Sequence, residues 1–299
     1  MTEPAVKTPP IERILVLVRG RDDGEIVLDK AAALALHLDA SILAVRVVHD
    51  DYPELSIHAI ETSQALKTFL LKAEETMLEE LLDPLRQRGI RIESATVWHK
   101  RDWQVALDMI REYKVGLVIK GASATHRSIG TPSDWHLLRE SAVPVMLVKP
   151  TAWVDGPIVL AAIDANCNED HELNNRVLSR ASQVCESLGG HLHIITTFPS
   201  VEHWIGPVTV IVDFDRVRAE VGAETATHID KLTASLAISP AEIHTVEGDN
   251  ATIAQIAQDI GAEILVLGTH RRSGPNGILL GNTAEKILEA LTCDALVVG

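Results

Sequence analysis

Short apolar runs alternate with longer amphipathic stretches from one end of the chain to the other, and the series occurs twice. The first half reads ILVLV (14–18), SILAVRVV (41–48), RIESATVW (91–98), GLVIKG (116–121) and VPVMLV (143–148). The second reads IVLAAID (158–164), HLHIITTF (191–198), AEIHTVE (241–247), EILVLG (263–268) and DALVV (294–298). Near-continuous apolar runs of this length are strands buried on both faces, and their alternation with helical patterns predicts β-α units around a parallel sheet. Leu117 and Ile264, Gly121 and Gly268, and Pro144 and Asp294 stand 147, 147 and 150 positions apart, so one plan is written twice with a small late insertion.

The helical period is legible between the runs. Leu173, Val177, Ala181, Val184 and Leu188 fall at steps of three or four, followed by Gly189-Gly190 as a stop. The counterpart in the first half spans about Gly24 to Leu38. A longer helix, from about Ser63 to Arg88, presents Leu66, Leu70, Met77, Leu78, Leu81 and Leu85 as its apolar stripe; Pro84 is a candidate kink and Gly89 its end. Glu74, Glu75, Glu79 and Glu80 form its solvated face. Both periods break at Lys149 to Pro157, which places a boundary near 152 and two domains at 1–151 and 152–299. The expected fold class is therefore α/β: two tandem doubly wound domains, each with a five-stranded parallel sheet of order 3-2-1-4-5, packed as an intramolecular pseudo-dimer.

The net charge of −15 is unevenly divided, with nineteen basic against twenty-two acidic residues in 1–150 and eight against twenty in the remainder. So acidic a surface, with ten aromatic residues in 299, argues against nucleic-acid binding. No apolar run reaches the roughly 18 residues of a membrane span. The N-terminal stretch lacks the layout of a secretory signal, and three cysteines (Cys167, Cys185, Cys293) cannot all pair within one chain, which suits a reducing cytoplasm.

Candidate chemistry concentrates in GTHRRSGPNGILLGNTAEKIL (268–288), a glycine-rich loop that leaves a strand and enters a helix. Gly268, Gly274, Gly277 and Gly281 permit close backbone approach. Asn282 or Thr283 can cap the helix, whose first N–H groups face an anion. Arg271 and Arg272 are two of only eight basic residues in their half, which points to a bound anion there. As a plain crossover, the same glycines would make a tight turn and the arginines would face water.

The loop resembles that of the universal stress protein family, in which Gly, two residues, Gly, nine residues and Gly followed by Ser or Thr wrap the phosphates of ATP. The corresponding residues are Gly268, Arg271, Gly281 and Asn282, so arginine replaces the second glycine and asparagine the hydroxyl residue. The resemblance implies an acid near adenine and ribose at Asp164, whose alternative role is a helix cap, and a Gly248-Asp249 pair lining the same cleft. In the first half Gly121 matches Gly268, but Thr131-Pro132 stands at Gly281-Asn282, Arg19 at Asp164 and Arg101 at Gly248. Pro132 has no N–H to offer a phosphate. That half is read as keeping the fold without the pocket, with Asp134 and Trp135 capping and anchoring its last helix. The T-P-x-D-W-H-L-L pattern with the later G-N-T-A-E resembles the tandem members of the family. This implies a cytoplasmic stress-response protein without established catalytic residues, its two domains associating through their last strands.

Other signals are weaker. Trp204, Ile205, Val208, Val210, Ile211 and Val212 lie in an aperiodic apolar segment that either packs beneath a helix or lines an apolar pocket. His191 and His193 share a strand face, but the sequence offers no third ligand at metal-site spacing, so they are read as ordinary histidines and no metal site is expected. No G-x-S-x-G elbow, P-loop or CxxC pair occurs. The expected function is a non-catalytic ligand-binding or regulatory protein with its site in the second domain. No cofactor is required, ATP or another phosphate-bearing molecule is the candidate ligand, and protein partners are unidentified. The alternatives are an adenine-nucleotide hydrolase on the same fold or a scaffold acting through protein partners alone.

Overall fold

Strands buried on both faces need helices on both faces, and this requirement shapes both halves. The computed structural model describes residues 9–49, 60–122, 132–165, 171–198, 214–269, 272–274, 277–279 and 282–299. They divide into two compact units, one lying between Pro10 and Ala152 and the other running from Trp153 to Gly299.

The first unit contains β1 (Arg13–Val18), α1 (Arg21–Leu38), β2 (Ser41–Val48), α2 (Ile60–Gln87), β3 (Ile92–Trp98), α3 (Asp102–Tyr113), β4 (Leu117–Gly121), α4 (Pro132–Glu140) and β5 (Val145–Val148). Its strands are all parallel and lie in the order β3-β2-β1-β4-β5. The second unit contains β6 (Ile158–Ala162), α5 (His171–Ser187), β7 (His191–Phe198), α6 (Phe214–Leu236), β8 (Glu242–Glu247), α7 (Asn250–Asp259) and β9 (Ile264–Gly268). It continues with β10 (Arg272–Gly274), β11 (Gly277–Leu279), α8 (Asn282–Ala290) and β12 (Asp294–Val298). Its parallel strands follow β8-β7-β6-β9-β12, the same order as in the first unit. In both units the strand order reverses beside the first strand, the point at which sheets of this kind open toward a ligand beyond their carboxyl ends.

Burial follows position in the sheet. Leu117, Val118 and Ile119 of central β4 are fully buried, as are Ile264, Leu265 and Val266 of β9, while edge strands β3 and β8 carry half-buried residues. Helix α1 begins at Arg21, earlier than the apolar period shows, because Asp22 and Asp23 favour its positive end without contributing to the stripe. It ends on Asp39 in the left-handed conformation, φ 50°, from which Ala40 N–H returns to Ala35 O. In α2 the stripe differs from the expected one. Leu78 and Leu82 have no exposed surface, whereas Leu66 is 40 % exposed and Phe69 68 %. The apolar period thus runs on into an amino-terminal half whose Leu66 and Phe69 are exposed among the described residues.

The interrupted segment between the halves carries its own anchor, since Trp153 Nε1 donates to Asp294 Oδ2 at 2.8 Å at the foot of β12. Replacing fully buried Leu82 by Ala should cost about 2–5 kcal/mol, whereas Leu66→Ala, on the same helix, should change stability by less than about 0.5 kcal/mol. Denaturant unfolding of the two variants checks this, and equal losses would mean that α2 is rotated from the orientation described.

Candidate functional site

The carboxyl ends of β6, β8 and β9 bring Asp164, Gly248, Asp249 and Gly268 to one end of the second sheet. Asp164 leaves β6 exposed, and its backbone is held from both sides by the buried Asn174 of α5. Asn174 Nδ2 donates to Asp164 O at 2.7 Å, and Asp164 N–H donates to Asn174 Oδ1 at 3.2 Å. One amide thus fixes the chain as it leaves the strand.

Both glycines at this end have a packing reason to be glycine. A Cβ on Gly268 would lie 2.7 Å from Leu173 Cγ, and one on Gly248 would lie 2.3 Å from Thr252 Oγ1. Asp249 is the N-cap of α7, accepting from Ala251 N–H at 3.0 Å. The loop beyond β9 contains a feature its glycines did not suggest: β10 and β11 pair antiparallel, with Arg272 opposite Leu279 and Gly274 opposite Gly277. For Arg272, Gly274, Gly277, Asn282 and Thr283 the backbone alone is described. Arg271 and Gly281 lie outside the described residues, as do Trp204, Ile205 and Val208.

At the equivalent end of the first sheet stands a charged cluster that no sequence motif announced. Lys120, in the middle of the apolar run of β4, has no exposed surface, nor does Asp134 of α4. The Lys120 ammonium lies 2.9 Å from Asp134 Oδ1 and 3.0 Å from Asp102 Oδ2, and donates to Ser133 Oγ at 2.6 Å. Ser133 Oγ in turn donates to Asp102 Oδ1, and Arg19, at the end of β1, reaches Asp134 Oδ1 at 3.5 Å. Asp134 is thus the third residue of its helix and an internal ion partner, where a helix cap was expected. Trp135 lies under the Arg139 guanidinium, 6.0 Å from ring to cation. The first half fills this end of its sheet with its own cations and anions. A lysine inside an apolar central strand was the available signal, since such a group requires acid partners.

Burial opposes ionisation of Asp102, but the Lys120 charge and the hydrogen bonds from Ser133 and Lys120 outweigh it, and its carboxyl is held below the ordinary aspartate value. Arg101, beside it, precedes α3 without a side-chain cap and stands 5.9 Å from the Trp103 ring.

Two grooves lie elsewhere. One of about 380 Å³ runs past the ends of β2 and β3 in the first unit, lined by Arg46, His49, Leu70, Glu74, His99 and Lys100, with Arg46 Nε paired to Glu74 Oε2 at 2.6 Å. One of about 520 Å³ lies in the second unit beside α5 and α6, where His171 and His228 stack 5.5 Å apart. Cys185 is buried, and burial together with the neighbouring Glu186 charge pushes its thiol up to about 11; among the described residues neither it nor Cys293 forms a disulfide. Among the described residues, no helix is long and apolar enough to cross a membrane.

Strand pairing also assembles a group that linear spacing concealed. His193 lies opposite Glu242 across β7 and β8, with His244 two residues further along. His193 Nδ1 is 3.0 Å from His244 Nε2, and Glu242 oxygens stand 3.8 Å from each imidazole. Burial, then the His244 charge, lowers the His193 pKa against the opposing pull of Glu242. His191, on the same face, stays outside this group.

Residues 10–149 and 158–299 each match the universal stress protein family. The chain belongs to that family, as a tandem of two such domains. Among curated universal stress proteins, universal stress protein E of Salmonella typhi is 26 % identical over 96 % of this chain and 94 % of its own length. That of Escherichia coli K12 is 25 % identical over 96 % and 93 %. The same fold is seen in a functionally unknown protein from Pseudomonas aeruginosa PAO1, at TM-score 0.73 and 24 % identity over 96 % of this chain and 92 % of that one. A universal stress protein from Archaeoglobus fulgidus aligns at TM-score 0.66 and 18 % identity, over 96 % and 98 %. This is the stress-response family of the E type, and both halves of the chain share its α/β architecture.

Two outcomes follow from the packing. Lys120→Met leaves the buried Asp134 without its ammonium and should cost about 3–5 kcal/mol in denaturant unfolding, while Gly268→Ala should cost about 1–3 kcal/mol through Leu173. Because the Asp102 pKa is lower folded than unfolded, its contribution is full above the unfolded value near 4 and is lost as pH falls through the folded one. Asp102→Asn should therefore flatten the acid limb of stability below about pH 4. An unchanged limb would show that this carboxyl is not linked to folding.

Proposed function

We propose that this chain is a non-catalytic, ligand-binding stress-response protein of the cytoplasm whose small-molecule site is in the second unit. One contrast carries the reading. At the carboxyl ends of the first unit's strands the protein's own Lys120, Asp102, Asp134 and Arg19 pair with one another, whereas the second unit presents the exposed Asp164, its backbone clamped by Asn174. The glycine-rich loop after β9 then supplies Arg271 and Arg272, with the start of α8 at Asn282 and Thr283 as the donor end for an anion. ATP or another phosphate-bearing molecule suits these groups, and no cofactor is needed. Regulation would pass from this site to protein partners. Three cysteines, which cannot all pair within one chain, support a reducing compartment. The absence of a G-x-S-x-G elbow and of a P-loop from the sequence supports a binder over a hydrolase.

Calorimetric titration of the full chain with ATP tests the assignment. Arg271→Ala removes a charge-assisted hydrogen bond and should weaken binding roughly 10- to 150-fold, and Gly281→Pro should weaken it by removing an N–H donor. Binding indifferent to both but lost in Arg46→Ala or Lys100→Ala would move the site to the groove of the first unit. Magnesium-dependent ATP turnover abolished by Asp164→Asn would make the protein an enzyme, and no binding of ATP or of any co-purified molecule would favour the scaffold.

A further inference from the structure

The histidine and carboxylate group on β7 and β8 lies at the other end of the second sheet from the loop. His193 is the third residue of β7, Glu242 the first of β8 and His244 the third, so all three belong to the amino ends of their strands. Side-chain alternation also assigns them a face. Arg218 of α6 reaches Glu247, which places Ile243, Thr245 and Glu247 on the face that α6 covers and Glu242 and His244 on the opposite one. His193, the register partner of Glu242, shares that opposite face.

We propose that His193, Glu242 and His244 form a binding site for a divalent transition metal of the zinc class. The donor set is two imidazoles and one carboxylate, a combination that zinc accepts with a position left for water. Its geometry is nearly that of the bound state. Two nitrogens on a tetrahedral zinc stand about 3.3 Å apart given bonds of about 2.0–2.1 Å. The pair here is separated by 3.0 Å, and one donor atom from each of the three residues lies within 4.8 Å of the others. The backbones carrying them are fixed by the parallel ladder, so binding needs side-chain rotation and no strand movement. His193 is nearly buried and His244 has 13 % of its side chain exposed, whereas Glu242 is 60 % exposed, which leaves the site open on its carboxylate side. A metal here would tie edge strand β8 to β7 and leave the strand-end crevice untouched, so the assignment stands apart from the proposed function.

Cobalt(II) and zinc(II) titrations of the full chain test it. Cobalt should give d–d absorption at one equivalent, and zinc should raise the melting temperature. His193→Ala and His244→Ala should weaken binding by more than the roughly 10- to 100-fold that loss of an outer-shell partner costs, and Glu242→Gln should also weaken it. His191→Ala, two residues away on the same strand face, should bind as the parent does and controls for the other histidines, of which the chain has thirteen in all. Circular dichroism establishes that each variant is folded; should His193→Ala not fold, the partly exposed His244 and Glu242 variants decide alone. No binding by the parent, or equal binding by the His244 and Glu242 variants, overturns the proposal.

Discussion

A lysine ammonium cannot leave water unless acids surround it, and in the first unit this demand organises everything at the carboxyl end of the sheet. Lys120 extends from β4 into the space between α3 and α4, and each helix contributes a carboxylate, Asp102 from the start of one and Asp134 from the first turn of the other. Ser133 bridges lysine and acid, and Arg19 adds a second cation from β1. The carboxyl ends of β1 and β4 are thereby tied to both helices. The two units share a topology and differ here: internal ions join the elements of the first, while in the second Asn174 clamps the backbone of Asp164 and Asp249 caps α7.

The strands were legible because burial on both faces leaves a signal that needs no knowledge of neighbours: residues such as Val118, Ile119, Leu265 and Val266 are apolar on either side of the pleat. The duplication was legible for the same reason, since it preserved those runs. What failed to show was whatever depends on a partner far along the chain. Leu66 and Leu82 belong to one helical period, and only the sheet beneath decides that Leu82 is buried and Leu66 is not. The β10–β11 pairing lies in three-residue strands with too few side chains to establish a period of two. His193 and His244 are separated by fifty-one residues, and the parallel register that joins them cannot be read from spacing.

Glycine illustrates the limit of motif reading at the site itself. Gly248 and Gly268 stand where the family resemblance places a ligand cleft, yet each faces a neighbour, Thr252 or Leu173, too close for a Cβ. Packing alone would keep them glycine.

Oxidants select cysteines by thiolate content, and this bears on how a stress signal can enter the chain. With its thiol raised to about 11 by burial and by Glu186, Cys185 holds about one thiolate in ten thousand molecules at neutral pH. Peroxide arriving from solvent therefore meets an inert sulfur packed inside α5. Burial and the Glu186 charge both work against the thiolate, and the place of Cys185 in the second unit is that of a small hydrophobic side chain.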